Sequence, residues 1–146
     1  MCTENREKGA SAVEFALVLP VLMLVLFGII EFGFIFFNKA IITNASREGA
    51  RRGIVYDTVT GVPVAVPPGV ITSTVASYCA SYLVSLGSGA ATPSTAIAGN
   101  CAVPGGSLTV TVSYPYTFLV LPNLPGSSLP GSLTLSSATV MRCEYQ

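Results

Sequence analysis

The feature that most constrains this chain is a long apolar run close to its N-terminus. Between Phe15 and Ile30 no side chain is charged or strongly polar, and the whole run, residues 13–37, contains only two charged residues, Glu14 and Glu31. A helix needs about 20 mainly apolar residues to cross the hydrocarbon core of a bilayer. The run therefore predicts a membrane-spanning helix, and a carboxylate so close to hydrocarbon indicates a functional position.

Composition narrows the possible functions. Hydrophobic residues make up 51% of the chain and charged residues 10%, against about 25% charged in ordinary soluble domains. The formal net charge is zero, so no basic surface indicates a nucleic-acid partner. The sequence contains no histidine, which excludes Ser-His and Cys-His nucleophile pairs and histidine-ligated metal sites. We therefore expect neither enzyme activity nor a cofactor or metal site.

The polarity pattern divides the chain into three parts. Residues 1–9 form a short polar segment without periodicity, which we expect to precede the helix as a leader. Residues 10–56 are predicted as one long helix, whose second half, 38–56, is amphipathic. Such a helix is about twice as long as a bilayer is thick. Its second half is therefore expected to pack against the rest of the chain, a head domain of residues 57–146.

The first half of the head contains one clear helical pattern. Residues 57–69 are rich in proline and glycine and predict a connector. Apolar residues recur at helical spacing over 70–86, which predicts a second helix. Residues 87–106 are rich in Gly, Ser, Ala and Pro and are predicted as an irregular loop.

The second half of the head shows strand patterns. Apolar and polar residues alternate over 107–114, which is typical of a half-buried strand. Pro115 is expected to interrupt that strand, with 116–121 forming a second, edge-like strand. A final strand is predicted over 132–145, with a candidate bulge at Ser136-Ser137 where the alternation shifts. The predicted fold class is α+β: a long N-terminal helix, a further helix and a small antiparallel sheet.

The start of the apolar run carries a recognisable spacing. Gly9 is followed by Ala10 and, five positions after the glycine, by Glu14, with Phe15 next to it. Prepilins of the type IV superfamily carry a glycine before the cleaved bond and a glutamate as the fifth residue of the mature chain. With the segments ITNASREGARRG, SYPYTF and TLSSATVMR, the chain resembles the TadE-like pilins of tight-adherence pili.

The resemblance implies processing and assembly. A prepilin peptidase would cut between Gly9 and Ala10, leaving an α-amine four residues before Glu14 and on the same helical face. Glu14 and Phe15 are the assembly residues that it implies. In a bundle of apolar helices a buried carboxylate needs a cationic partner, and the new amine of a neighbouring subunit would supply it.

The resemblance also implies location and partners. The chain would span the inner, or cytoplasmic, membrane once with its leader in the cytoplasm, and would then enter an extracellular pilus used for surface adhesion, as a main or minor subunit. Its partners would be the membrane, other pilin subunits, the prepilin peptidase and the pilus assembly platform. The alternative is a single-pass, membrane-anchored exported domain that binds a partner and does not polymerise.

Two further residues of the helix have specific expectations. Pro20 removes one intrahelical hydrogen bond and crowds the preceding turn, so it predicts a kink or local unwinding. Glu31 marks the far end of the fully apolar stretch. It is either an interfacial residue or a second contact between subunits, and the sequence favours neither.

Cysteine pairing follows from the implied export. Removing the leader removes Cys2 and leaves three cysteines, two of which are expected to pair in an oxidising compartment. The preferred pair is Cys79–Cys101, which would join the second helix to the loop before the first strand. Cys101–Cys143 is the alternative, because antiparallel pairing would bring Cys143 near the start of that strand.

Overall fold

A computed structural model gives the fold. It describes residues 4–55, 65–85, 92–99, 101, 105–118 and 130–143. The elements are α1 (Glu4–Ile54), α2 (Pro68–Tyr82), β1 (Ser94–Ala98), β2 (Ser107–Thr117) and β3 (Ser132–Arg142). The three strands form one antiparallel sheet in the order β1-β2-β3. The predicted α+β class is confirmed.

Helix α1 begins earlier than the sequence pattern predicts. Residues 4–9, expected to precede the helix, are helical, because Glu, Arg and Lys are good helix formers and no proline interrupts them. The helix is also continuous through Pro20, so the predicted local unwinding is wrong. A bend of the helix axis at Pro20 stays a prediction.

The core lies between the second half of α1, helix α2 and one face of the sheet. Alternate residues of β2 from Leu108 to Tyr116 are buried, and Ile42 and Ala45 of α1 and Val75 of α2 are fully buried beside them. Burial of this apolar surface, at about 25 cal/mol per Å², is the main term that holds α1 to the head.

Helix α2 confirms the prediction of a second helix, with different ends. It begins at Pro68, where a proline in the first turn costs no intrahelical hydrogen bond. It ends at Tyr82, and the Leu83 N–H donates to the Cys79 carbonyl at 2.9 Å. Most of the predicted connector 57–69 lies outside the described residues.

Strand β1 lies within the predicted loop 87–106, so that prediction is wrong over Ser94–Ala98. The segment STAIA has no charged residue and only one large apolar side chain, which leaves little alternation to detect. Its strand conformation depends on pairing with β2, for example Ala96 opposite Thr111. This is a tertiary contact that the local sequence does not encode.

Strand β2 is one strand and not two. It continues through Pro115 to Thr117, so the predicted interruption and the separate strand 116–121 are wrong, although residues 119–121 lie outside the described part. The pairing with β1 ends opposite Ser113. Beyond that residue the described part of β2 pairs only with β3, and an open strand edge tolerates a residue without an N–H.

Strand β3 contains no bulge within the described residues. Its register with β2 is constant through Ser136 and Ser137, so the predicted bulge is wrong. The hydrophobic alternation fades because small polar side chains occupy inward positions. The hydroxyls of Thr139 and Ser46, for example, form a 2.7 Å hydrogen bond between β3 and α1.

The disulfide joins Cys101 to Cys143, with their Cα atoms 5.4 Å apart. The preferred pairing, Cys79–Cys101, is therefore wrong, and the alternative is the one found. The β2–β3 register continues past the strand ends, where the Cys143 N–H donates to the Gly106 carbonyl at 2.9 Å. Cys79 is a buried free thiol inside α2, facing the core.

Candidate membrane-contact and assembly site

Helix α1 has two halves with different surroundings, and they meet at Glu31. Residues 9–30 are exposed or only partly covered, and the most apolar 18-residue window has none of its residues buried. At 1.5 Å per residue this half is about 33 Å long, close to the about 30 Å of a hydrocarbon core. From Glu31 on, one face of the helix is buried in the head. We call residues 9–30 the bare half.

The predicted processing and assembly residues all lie on the bare half. Gly9, Ala10 and Glu14 are exposed, and Phe15 keeps 63% of its surface exposed. Ala10 and Glu14 are one helical turn apart and share a face. Pro20 is exposed as well. The structure thus groups these residues on one accessible segment and separates them from the head.

Glu31 differs from the other acidic residue of the apolar run, because it is 3% exposed. Burial raises the pKa of the Tyr116 hydroxyl, and the nearby charge of Glu31 raises it further, with a smaller contribution from Tyr114. Glu31 therefore contacts the head of its own chain. A second inter-subunit contact through this side chain, one of the two alternatives, is not compatible with its burial.

Asn38 fixes the end of α2 to α1, a role that the sequence did not reveal. Its side chain is fully buried, its Nδ2 donates to the Val84 carbonyl at 2.8 Å, and its Oδ1 accepts from the Val84 N–H at 3.1 Å. A buried amide is costly unless it is hydrogen-bonded. In the sequence, the sign of this burial was the position of Asn38 seven residues after Glu31, on the helix face that also carries Ile35 and Ile42.

An apolar groove lies where the bare half meets the head. Its volume is about 380 Å³. Five of its lining residues come from α1 and one follows α2: Ile29, Ile30, Gly33, Phe34, Phe37 and Val84. We call this the junction groove.

Comparison with known protein families gives a match on helix α1, which carries these features. Residues 9–51 match the sequence model of the TadE-like protein family. The match begins at Gly9 and ends within the last turn of α1, so it covers the bare half and most of the half that packs on the head. The resemblance predicted from the sequence is confirmed over this segment.

The remaining comparisons add no relative. No curated protein and no solved structure matches the chain. The TadE-like helix associates the chain with the tight-adherence pilus system, and its exposed apolar half has the length and composition to cross a membrane. Together these findings indicate a membrane-anchored protein of that system.

Proposed function

We propose that this TadE-like chain is a structural pilin subunit that is cut by a prepilin peptidase between Gly9 and Ala10. The bare half holds it in the membrane and then packs against other subunits in a pilus that adheres to surfaces. The observation that carries the proposal is the division of α1 at Glu31. The half with the prepilin spacing is left uncovered, while the following half is enclosed by the head.

Assembly through the bare half has a specific electrostatic requirement. When apolar helices bundle, Glu14 leaves water, and a buried carboxylate is destabilising unless a cation is close. Cleavage creates an amine at Ala10, and the Ala10 amine of an adjacent subunit is the cation that this proposal assigns. The proposal gives the chain a structural role and no catalytic one.

Export of the head is the second part of the proposal. The leader stays in the cytoplasm, the bare half spans the inner membrane, and the head faces an oxidising compartment. The Cys101–Cys143 disulfide supports this orientation, because such bonds persist in oxidising environments. The prepilin peptidase and the assembly platform act on the membrane-inserted form, and the assembled subunit is extracellular.

The decisive experiment measures processing and incorporation together. The chain is produced with its pilus machinery, and its mature N-terminus is sequenced in the membrane and filament fractions. We expect the sequence to begin at Ala10. Glu14→Ala should lower filament incorporation by about 100-fold or more, because an unpaired Ala10 amine costs several kcal/mol, and should leave membrane insertion unchanged.

A matched control is available on the same helix. Glu48 is exposed on the head-bound half, so Glu48→Ala should incorporate as the wild type does. If the leader is retained and Glu14→Ala incorporates normally, the alternative of a membrane-anchored binding domain that does not polymerise replaces the proposal.

A further inference from the structure

We propose that the junction groove binds the acyl chain of a membrane phospholipid, at the part of the chain next to the glycerol. This inference rests on the membrane anchoring proposed above and adds a lipid site to it. It concerns residues where the bare half meets the head, and its test does not require filament assembly.

The level of the groove along α1 is the first argument. If residues 9–30 fill the hydrocarbon core, the α1 residues of the groove, 29–37, begin at its edge and continue about 10 Å beyond it. The headgroup layer on each side of a bilayer is about 5–8 Å thick. The groove therefore opens toward the region where acyl chains meet their glycerol groups.

The lining is the second argument. All six residues that line the groove are apolar or glycine, and Ile29, Ile30 and Phe37 remain 69%, 45% and 46% exposed. Exposed apolar surface of this kind marks contact with a partner or a membrane. Gly33 deepens the groove, since a Cβ placed there would have no heavy atom within 4 Å.

The wall formed by Val84 is the third argument, because it is fixed before any ligand arrives. Both backbone groups of Val84 are hydrogen-bonded to the buried Asn38 side chain. A preformed wall lowers the ordering cost of binding.

The test uses the full chain in vesicles of phosphatidylethanolamine and phosphatidylglycerol. A trace of phospholipid carries a photoreactive diazirine near the carbonyl end of its acyl chain, and labelled peptides are identified by mass spectrometry after irradiation. We expect labelling of the segment that contains Val84, in addition to labelling of the bare half near Phe27.

Filling the groove should remove only the labelling of the segment that contains Val84. Gly33→Leu places a side chain in open space within the groove, so Val84 labelling should fall by about tenfold while labelling near Phe27 is unchanged. Gly28→Leu is the matched control, because Gly28 also has nothing within 4 Å of an added Cβ and does not line the groove. Ile29→Trp fills the groove from a second position and should act as Gly33→Leu does.

Three results would overturn the inference, and they are distinguishable from a failure of anchoring. Background labelling at Val84 with strong labelling near Phe27 excludes an acyl chain but keeps the anchor. Val84 labelling that falls as more protein is added per vesicle shows that a second copy occupies the groove. Equal labelling in wild type and both groove variants shows unspecific contact. Absence of labelling at both segments contradicts membrane anchoring itself.

Discussion

At two positions of α1 the lack of a side chain sets how closely the helix approaches the head. A Cβ added at Gly49 would lie 2.5 Å from Cγ2 of Val75, and one added at Gly53 would lie 2.3 Å from Cδ2 of Leu108. Val75 is the less adaptable neighbour, because a β-branched side chain is restricted at χ1. The spacing of α1 and α2 thus depends on a glycine at 49.

Gly49→Ala should therefore destabilise the head although alanine favours helices. Overpacking of a tight core costs about 1–3 kcal/mol, against a propensity gain of about 1 kcal/mol. The control is Gly33→Ala, where an added Cβ meets nothing within 4 Å. Denaturant unfolding in a mild detergent should show a lower midpoint for Gly49→Ala alone. Equal midpoints for Gly49→Ala and Gly33→Ala would mean that α2 moves away from the added methyl group at no cost in stability.

Cys79 is a residue whose protonation depends on folding. Burial raises the pKa of its thiol, and the thiolate is the reactive form. Iodoacetamide at about pH 8.5, the ordinary thiol pKa, should modify the folded chain at least about tenfold more slowly than the chain in guanidinium chloride. Similar rates would contradict the burial of this side chain.

The same shift predicts how stability depends on pH. The unfolded chain releases the Cys79 proton as pH rises through about 8.5, while the folded chain retains it. This contribution to stability is complete below that pH and is lost above it. Comparing the pH dependence of unfolding in wild type and Cys79→Ala isolates it: the wild type should lose stability more steeply, and parallel profiles would refute the linkage.

Among the structural elements, the two ends of the sheet region are joined covalently. The Cys101–Cys143 disulfide closes a loop with a sequence separation of 42 that contains β2 and β3. It also holds Cys101, which lies six residues before the start of β2, beside Cys143, the residue after β3. The bond thus fastens the end of β3 to the segment that precedes β2.

Removing that bond should lower the free energy of unfolding by about 4 kcal/mol in the chain-entropy treatment. Cys143→Ser, and wild type treated with reductant, should both unfold at lower denaturant concentration. Cys79→Ala is the control and should keep its sensitivity to reductant, since Cys79 is outside the bond. A midpoint unaffected by reductant would show that the loop is already ordered in the unfolded chain.

For the whole molecule, Glu31 marks the boundary between a membrane segment and a folding unit. The buried residues of α1 begin at Glu31 and continue through Ile35, Asn38 and Ile42. The bare half contributes no buried residue to the head. The head should therefore fold without it.

A chain that starts at Glu31 should keep the disulfide and the cooperative unfolding of the full chain in the same detergent. A chain that starts at Thr43 should not, because it lacks Glu31, Ile35, Asn38 and Ile42, four of the buried residues of α1. Circular dichroism during thermal unfolding makes the comparison. If the chain that starts at Thr43 unfolds in the same way as the chain that starts at Glu31, the boundary is not at Glu31.

What the sequence determined by itself is the part of the protein that depends on local pattern and composition. The apolar run, the spacing of Gly9 and Glu14, the second helix and the alternation of β2 were all readable. Each depends on residues close together in the chain: a hydrophobic length, a helical period or a pleat. The family match to residues 9–51 falls within this part.

What only the tertiary structure decided depends on contacts between distant residues. Strand β1 exists because β2 offers it a partner. Strand β2 continues through Pro115 because its pairing with β1 stops at Ser113. The sheet register brings Cys143 to the end of the sheet where it pairs with Cys101. The head buries Glu31, for which the sequence favoured neither of two roles. Such pairings cannot be read from periodicity, since their free energy comes from segments that meet only after the chain has folded.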